Sequence, residues 1–250
     1  MKNNHFTIVI TGRNAASYIS KCIQSALSQK YDNYEIIIFD ACSNDGSYEI
    51  ALDYENNFSK YISLIRNSER QYQGQNLLQG AKFAIDNSII INLDSDDYLY
   101  DDQVLNKLNE VYQNDIWLTY GGGYIQSDGR DVRNIYSAYP HDVINNNSYR
   151  EYRWLASHLR TWKKELFLKI DENDLKDSTT NDFYSMAPDL GFMFPMLEMA
   201  GYKAKYMNDL LYVYNVETPF NERKINQSEI DRIEKEVRSK HKYLLIKDLK

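Results

Sequence analysis

Two cysteines in 250 residues, Cys22 and Cys42, are too few for a disulfide scaffold or a zinc ligand set. Cys22 falls on a predicted apolar helix face, which makes it a core residue. No apolar run approaches the ~20 residues of a membrane-spanning helix, and the start Met1-Lys2-Asn3-Asn4 lacks a signal-peptide core. The chain is therefore expected to be soluble and cytoplasmic; a peripheral membrane contact is invisible to this test. A basic excess is missing too. The net charge is −7 and spread along the chain, which argues against nucleic acid as a partner. Neither Gly-x-x-x-x-Gly-Lys-Ser/Thr nor Gly-x-Gly-x-x-Gly occurs, so ATP hydrolysis and NAD chemistry lose their main support. What is present is 43% hydrophobic residues, enough for one sizeable core.

Apolar runs alternate with helical periodicity through the first half. Phe6-Thr7-Ile8-Val9-Ile10 reads as a buried strand that ends in the turn Thr11-Gly12-Arg13-Asn14. Tyr18, Ile19, Cys22, Ile23, Ala26 and Leu27 recur at helical spacing, and Glu35 to Phe39 is a second strand closing on Asp40. A helix from Ser47 to about Tyr54, a strand Tyr61–Ile65 and a helix Gln75–Ile85 opened by Gly74 continue the pattern. Strand–helix alternation favours a parallel sheet with right-handed crossovers. The polar segment Arg66 to Gly74 has the character of a βα loop that could cover a nucleotide.

The fourth strand, Ser88 to Ile91, runs into Asn92-Leu93-Asp94-Ser95-Asp96-Asp97-Tyr98. Three carboxylates at the carboxyl end of a buried strand repel one another and are best accommodated around a hard cation such as Mg²⁺ or Mn²⁺. The alternative is an acidic turn that caps the next helix. Position favours the cation, because open α/β sheets bind ligands at the carboxyl ends of their strands. An EF-hand loop starting at Asp94 would need Gly where Leu99 stands and Glu where Leu105 stands, so that form of Ca²⁺ site is excluded.

Asp101 to Gln113 reads as a surface helix and Ile116 to Tyr120 as a strand, followed by Gly121-Gly122-Gly123. Residues 127–147 are polar and turn-rich, suited equally to an acceptor-binding region and to loops with no such role. The stretch Tyr149 to Phe167 is aromatic and basic, and a basic helix face is most simply solvated. Pro188-Asp189 starts a helix that Gly201 stops. There the helix dipole favours the ionised form of Asp189, which suits a base, though a carboxylate at a helix start is also common for structural reasons alone. Tyr202–Met207 and Leu210–Tyr214 read as strands, and Pro219-Phe220 breaks the pattern. The tail from Ile225 to Leu249 has an amphipathic pattern with Ile230, Ile233, Val237, Leu244 and Leu245 facing inward. Its mixed charges fit packing against the body or against a second subunit in a homodimer.

Taken together, Ile8 to Asn14, the step from Gln29-Lys30-Tyr31 to Asp40, the turn Ser43-Asn44-Asp45-Gly46-Ser47, Leu93 to Leu99, the Pro188-Asp189 helix and Leu211-Tyr212-Val213-Tyr214-Asn215 resemble the family 2 glycosyltransferases of the GT-A fold. The pieces keep the family's order and cover most of the chain. The resemblance implies an α/β fold of GT-A type: a Rossmann-like, mostly parallel sheet flanked by helices, an irregular acceptor-side second half and a C-terminal helix. One domain would span 1–250, with a nucleotide-sugar half at 1–120, an acceptor half at 121–220 and the helix at 221–250. It also implies Mn²⁺ or Mg²⁺, a nucleotide-sugar donor (a UDP-sugar favoured), inversion at the anomeric carbon, and a glycan, lipid-linked or protein acceptor. By position, Thr11, Arg13, Asp40, Gly74, Asp94, Ser95, Asp96, His158 and Arg160 would bind donor, Asp96 and Asp97 the metal, and Asp189 would be the catalytic base. The chain departs from the pattern at Ala41, where a second Asp is usual, and at Pro188, where Glu is usual. A sugar nucleotidyltransferase is the rival enzyme, but Thr11 to Ala15 makes a poor triphosphate loop. A carbohydrate-binding protein without catalysis is the rival of another class.

Overall fold

The isoleucine-rich runs form the sheet that their burial on both faces demands. In this computed structural model, which describes residues 2–121, 124–130, 136–218 and 226–249, the first half alternates strictly. Strand β1 (Phe6–Gly12), helix α1 (Ile19–Leu27), β2 (Tyr34–Asp40), α2 (Ser47–Asn57), β3 (Ile62–Arg66), α3 (Gln73–Phe83) and β4 (Ile89–Asp94) follow one another. The four strands are parallel in the order β3-β2-β1-β4, as helical crossovers require. Side-chain alternation divides the core in two. Ile8 and Ile10 join Cys22, Ile23 and Ile36 on one face. Val9 joins Phe39, Leu77 and Ile90 on the other.

The second half completes the sheet in a different way. After β5 (Tyr98–Leu99) and α4 (Val104–Val111) come β6 (Leu118–Gly121), β7 (Tyr124–Gln126), α5 (His141–Asn145), β8 (Ser157–Lys163), α6 (Lys164–Phe167), α7 (Pro188–Ala200), β9 (Ala204–Met207), β10 (Tyr212–Tyr214) and α8 (Gln227–Ser239). Strand β8 lies antiparallel between β4 and β6, and β9 adds parallel to β6, giving seven strands in the order β3-β2-β1-β4-β8-β6-β9. A small second sheet, β5-β10-β7, clips the segment after the acidic turn to the C-terminal half.

Three expectations change. The basic stretch 149–167 is not a solvated helix: its centre is β8, an interior strand in which Arg160 and Trp162 are buried. Burial leaves the Arg160 charge to be satisfied by Asp189 and the Ala156 carbonyl and not by water. The tail helix stops at Ser239. Lys240 takes an extended conformation and its Nζ donates to the carbonyls of Asn173, Asp174 and Lys176, while Tyr243 N–H donates to Glu198. Ile230, Ile233 and Val237 are buried as expected, but Leu244 and Leu245 lie past the helix and are exposed. Segment 136–156 is irregular yet ordered by tyrosines. The Tyr120 hydroxyl accepts from Tyr139 N–H, Tyr139 accepts from Leu155 N–H, and Tyr206 donates to the Tyr136 carbonyl. Each ring fills core while its hydroxyl serves a backbone group that no sheet or helix pairs. Gly122, Gly123, Pro219, Phe220 and Ile225 lie outside the described residues. Among the described residues no helix is long and apolar enough to cross a membrane.

Candidate active site

The carboxyl ends of β1 and β4 open into a cleft of about 720 Å³ whose far wall is made by α7 and α8. Its floor depends on a close approach. Thr11 carbonyl accepts from Ser95 N–H at 3.0 Å, and a Cβ built on Gly12 would lie 1.6 Å from Ser95 Oγ. Glycine at position 12 lets the first turn lie directly against the acidic turn. The Ser43–Ser47 turn braces that first turn from outside. Ser43 Oγ, Ser47 Oγ and Asp45 Oδ2 accept from the N–H groups of Asn14, Ala15 and Ala16 at 2.8–3.0 Å.

Asp94 and Asp97 are the first and last residues of a tight turn closed by Asp97 N–H to Asp94 carbonyl at 3.0 Å, which brings their side chains together. Ligand atoms of Asp94, Asp97 and His158 all lie within 4.8 Å of one another. Burial, reinforced by the charges of Asp96 and Asp94, pushes Asp97 well above the ordinary carboxylate range. Hydrogen bonds from Tyr212 hydroxyl (2.5 Å) and Asn215 N–H (2.7 Å) pull the other way. Burial also raises Asp96, against a hydrogen bond with the Thr218 side chain. Gln73 Nε2 donates to Asp94 Oδ1. His158 stacks on Tyr212, ring centroids 4.7 Å apart, and burial, then the nearby Arg160 charge, holds it well below its ordinary value. The two carboxylates are oxygen donors suited to Mg²⁺ or Mn²⁺, and the neutral imidazole adds a nitrogen donor that Mn²⁺ tolerates better than Mg²⁺, so the residues fit Mn²⁺ best.

Asp189 stands at the second position of α7, one-fifth exposed, and its Oδ2 accepts from Arg160 Nη2 at 2.6 Å. Arg160 is fixed in turn by Nε to the Ala156 carbonyl at 2.9 Å. Ala187, just before the helix, is held in the left-handed region (φ 44°), a conformation that costs about 1–2 kcal/mol for a residue with a Cβ.

Thr11, Arg13, Asp94, Ser95, Asp96, Asp97, His158, Arg160 and Asp189 all line this one cleft. Two expected donor-binding residues do not. Asp40 is buried at the end of β2, its carboxylate accepting from Ser43 N–H, and Ala41 after it faces the cleft. Gly74 is buried in the first turn of α3 against Phe183; the cleft residue there is Gln73, where α3 begins, two positions before the Gln75 start read from the sequence. Of the expected metal pair, both of which line the cleft, Asp97 groups with Asp94 and His158, and Asp96 hydrogen-bonds the Thr218 side chain. Gly12, Gln73, Tyr212 and Asn215 were missed. Each lay in a stretch already singled out, Gly12 in the first turn, Gln73 in the 66–74 loop and Tyr212 and Asn215 in the 211–215 run, but none carried a role; Tyr212 is 115 residues from the carboxylate it binds.

A parallel sheet carrying clustered carboxylates at its strand ends, an antiparallel β8 and a cleft against a late helix define a protein of the GT-A class. The sequence pattern of Glycosyl transferase family 2 matches residues 7–181, and the chain belongs to that family. It is 23% identical over 219 residues to the glycosyltransferase GlyA of Streptococcus pneumoniae, covering 86% of this chain and 31% of that protein. With the UDP-Glc:alpha-D-GlcNAc-diphosphoundecaprenol beta-1,3-glucosyltransferase WfaP of Escherichia coli it shares 30% identity over 130 residues, 49% of this chain and 47% of the relative. This chain thus spans less than half the length of these relatives, 31% and 47%. Among solved structures, S. aureus TarS superposes with a TM-score of 0.63 at 17% identity, covering 85% of this chain and 37% of that one. The mannosyltransferase PcManGT of Pyrobaculum calidifontis, solved with GDP-Man and Mn²⁺, gives 0.59 at 16% identity, covering 87% and 59%. The matched family segment ends at residue 181, before α7 and α8.

Proposed function

We propose that this domain transfers a sugar from a UDP-sugar to a hydroxyl of a glycan or lipid-linked glycan, with inversion at the anomeric carbon. The observation that carries the reading is one cleft with two separate acidic centres: a crowded cluster after β4 and an isolated, Arg-held carboxylate at the start of α7. The nucleoside would lie between the first turn, with Thr11 and Arg13, and the 70–73 loop, its diphosphate directed at the acidic turn. Asp94, Asp97 and His158 would hold a divalent cation, which supplies charge neutralisation for the departing diphosphate. Arg160 occupies Asp189 Oδ2, which would leave Oδ1 for the acceptor hydroxyl. As the acceptor oxygen bonds to the anomeric carbon and the sugar–phosphate bond breaks, Asp189 takes the hydroxyl proton. UDP is favoured because WfaP carries UDP-Glc in its name and a relative of the same fold, TarS, was solved with UDP-GlcNAc. A lipid-linked acceptor is favoured by the diphosphoundecaprenol in the WfaP name.

Asp189→Asn tests the division of labour. The variant keeps its affinity for UDP and Mn²⁺ and loses about 10²–10⁴-fold in turnover with any acceptor the wild type uses. Near-normal turnover of the purified variant removes Asp189 from the role of base.

A further inference from the structure

In the cleft that Asp189 lines, two side chains that are far apart in sequence are set in place by one buried ring. Trp154, half-buried before β8, meets Phe194 of α7 edge to face, centroids 5.1 Å apart. Phe194 is fully buried, and the Arg238 guanidinium lies over its ring at 5.2 Å. Arg238 is itself anchored: Nη1 donates to the carbonyls of Arg150 (2.6 Å) and Tyr152 (2.9 Å). Its Nε and Nη2 both hold Glu234 Oε1, at 2.8 and 2.7 Å. Trp154, Ile230 and Glu234 all face the cleft.

Glu234 is therefore a positioned carboxylate. Arg238 uses one oxygen, and among the described residues Oε2 accepts no hydrogen bond from the protein. The Glu234 side chain is 38% exposed, open to a ligand in the cleft. An apolar aromatic surface beside a fixed acceptor oxygen matches the two sides of a pyranose: a face of C–H groups and an edge of hydroxyl donors. An acyl chain would gain from Trp154 and Ile230 but would leave the Glu234 oxygen buried and unpaired, a cost a sugar avoids.

We propose that Trp154 and Glu234 form an acceptor-side subsite for a sugar residue, so that α8, outside the family-matched segment, is part of the acceptor site and the acceptor is a glycan. The proposal rests on the glycosyltransferase reading above, but its binding test does not need turnover. Saturation-transfer NMR with methyl β-glycosides of glucose, galactose and N-acetylglucosamine as probes, on protein loaded with UDP and Mg²⁺, reads the subsite. UDP affinity is measured separately by calorimetry.

At least one glycoside is expected to bind. Glu234→Gln, which keeps the shape of the side chain, should weaken it about tenfold, the worth of a hydrogen bond to a charged group. Trp154→Ala should abolish binding and Trp154→Phe retain part of it, with UDP affinity unchanged in all three. Wild-type protein that binds UDP but none of the glycosides, or variants that bind them as the wild type does, overturns the subsite and leaves the transferase reading intact. Protein that binds glycosides in this residue-dependent way but no nucleotide sustains the subsite and overturns the transferase reading.

Discussion

Gly12→Ala is the smallest change that should disable the donor half of the cleft. The new Cβ would lie 1.6 Å from Ser95 Oγ and 2.5 Å from Ser95 Cβ. The hydroxyl can rotate away; the Cβ cannot. Relieving that contact to about 3.5 Å requires the residue to shift by about 1 Å. Ser95 sits between Asp94 and Asp96, so the shift is passed to the acidic turn. Overpacking of this kind costs about 1–3 kcal/mol, equivalent to a fall in Tm of about 2–12 °C for a chain of this size. A 1 Å misplacement of reacting groups costs about 10²-fold in rate. Calorimetry of UDP with Mn²⁺ and a thermal melt read the two effects. The second-site variant Ser95→Gly removes both clashing atoms and leaves Ser95 Cα at 3.6 Å, an ordinary contact, so the double variant should recover binding. Ser95→Ala, which keeps the Cβ, should recover less. Gly12→Ala that binds UDP like the wild type, or a double variant no better than the single, refutes the close-packed floor.

Two further predictions concern charge. Arg150 and Glu198 form a buried bidentate pair at 2.6 and 3.0 Å, and Arg150 Nη1 also donates to the Val237 carbonyl, tying α7 to α8. Arg150→Met strands the Glu198 carboxylate and should cost about 3–5 kcal/mol, seen as a fall in Tm of about 6–20 °C; an unchanged melt contradicts the assignment. Without cation, Asp96 and Asp97 hold protons in the folded state that the unfolded chain has already released, because their folded values lie above the usual 3.8. Stability should therefore fall as pH rises from about 4 through their raised values. Since a cation binds the deprotonated carboxylates, the stabilisation by Mn²⁺ should grow with pH over the same window, and a pH-independent effect counts against binding at this cluster.

The parallel half was legible because Ile8 to Ile10, Ile36 to Ile38 and Ile89 to Ile91 are buried on both faces and have no other home. The acidic turn was legible from its place after β4. The misreadings share a cause. Strand β8 carries Arg160 and His158, polar groups that sequence logic sends to solvent; inside, Asp189 and the Ala156 carbonyl satisfy Arg160, and burial keeps His158 neutral against Tyr212. Which carboxylates meet depends on a turn that pairs Asp94 with Asp97 and on His158 and Tyr212 arriving from elsewhere in the chain. Such convergence is a property of the tertiary fold, and no local pattern encodes it. The exposure of Leu244 and Leu245 has the same origin, since helix α8 is ended by Lys240 reaching back to the 173–176 carbonyls.

The most direct test of the central claim is a thermal-shift titration of the purified protein with UDP-, GDP-, CMP- and dTDP-sugars, each with and without Mn²⁺. Ligand that binds only the folded state raises apparent stability by about 2.7 kcal/mol at a hundred times Kd. The account predicts that UDP-sugars stabilise the protein, that Mn²⁺ is required for the full shift, and that Asp97→Ala abolishes the metal-dependent part. Stabilisation by none of the nucleotides, or by UDP-sugars equally with and without metal and in Asp97→Ala, would contradict it.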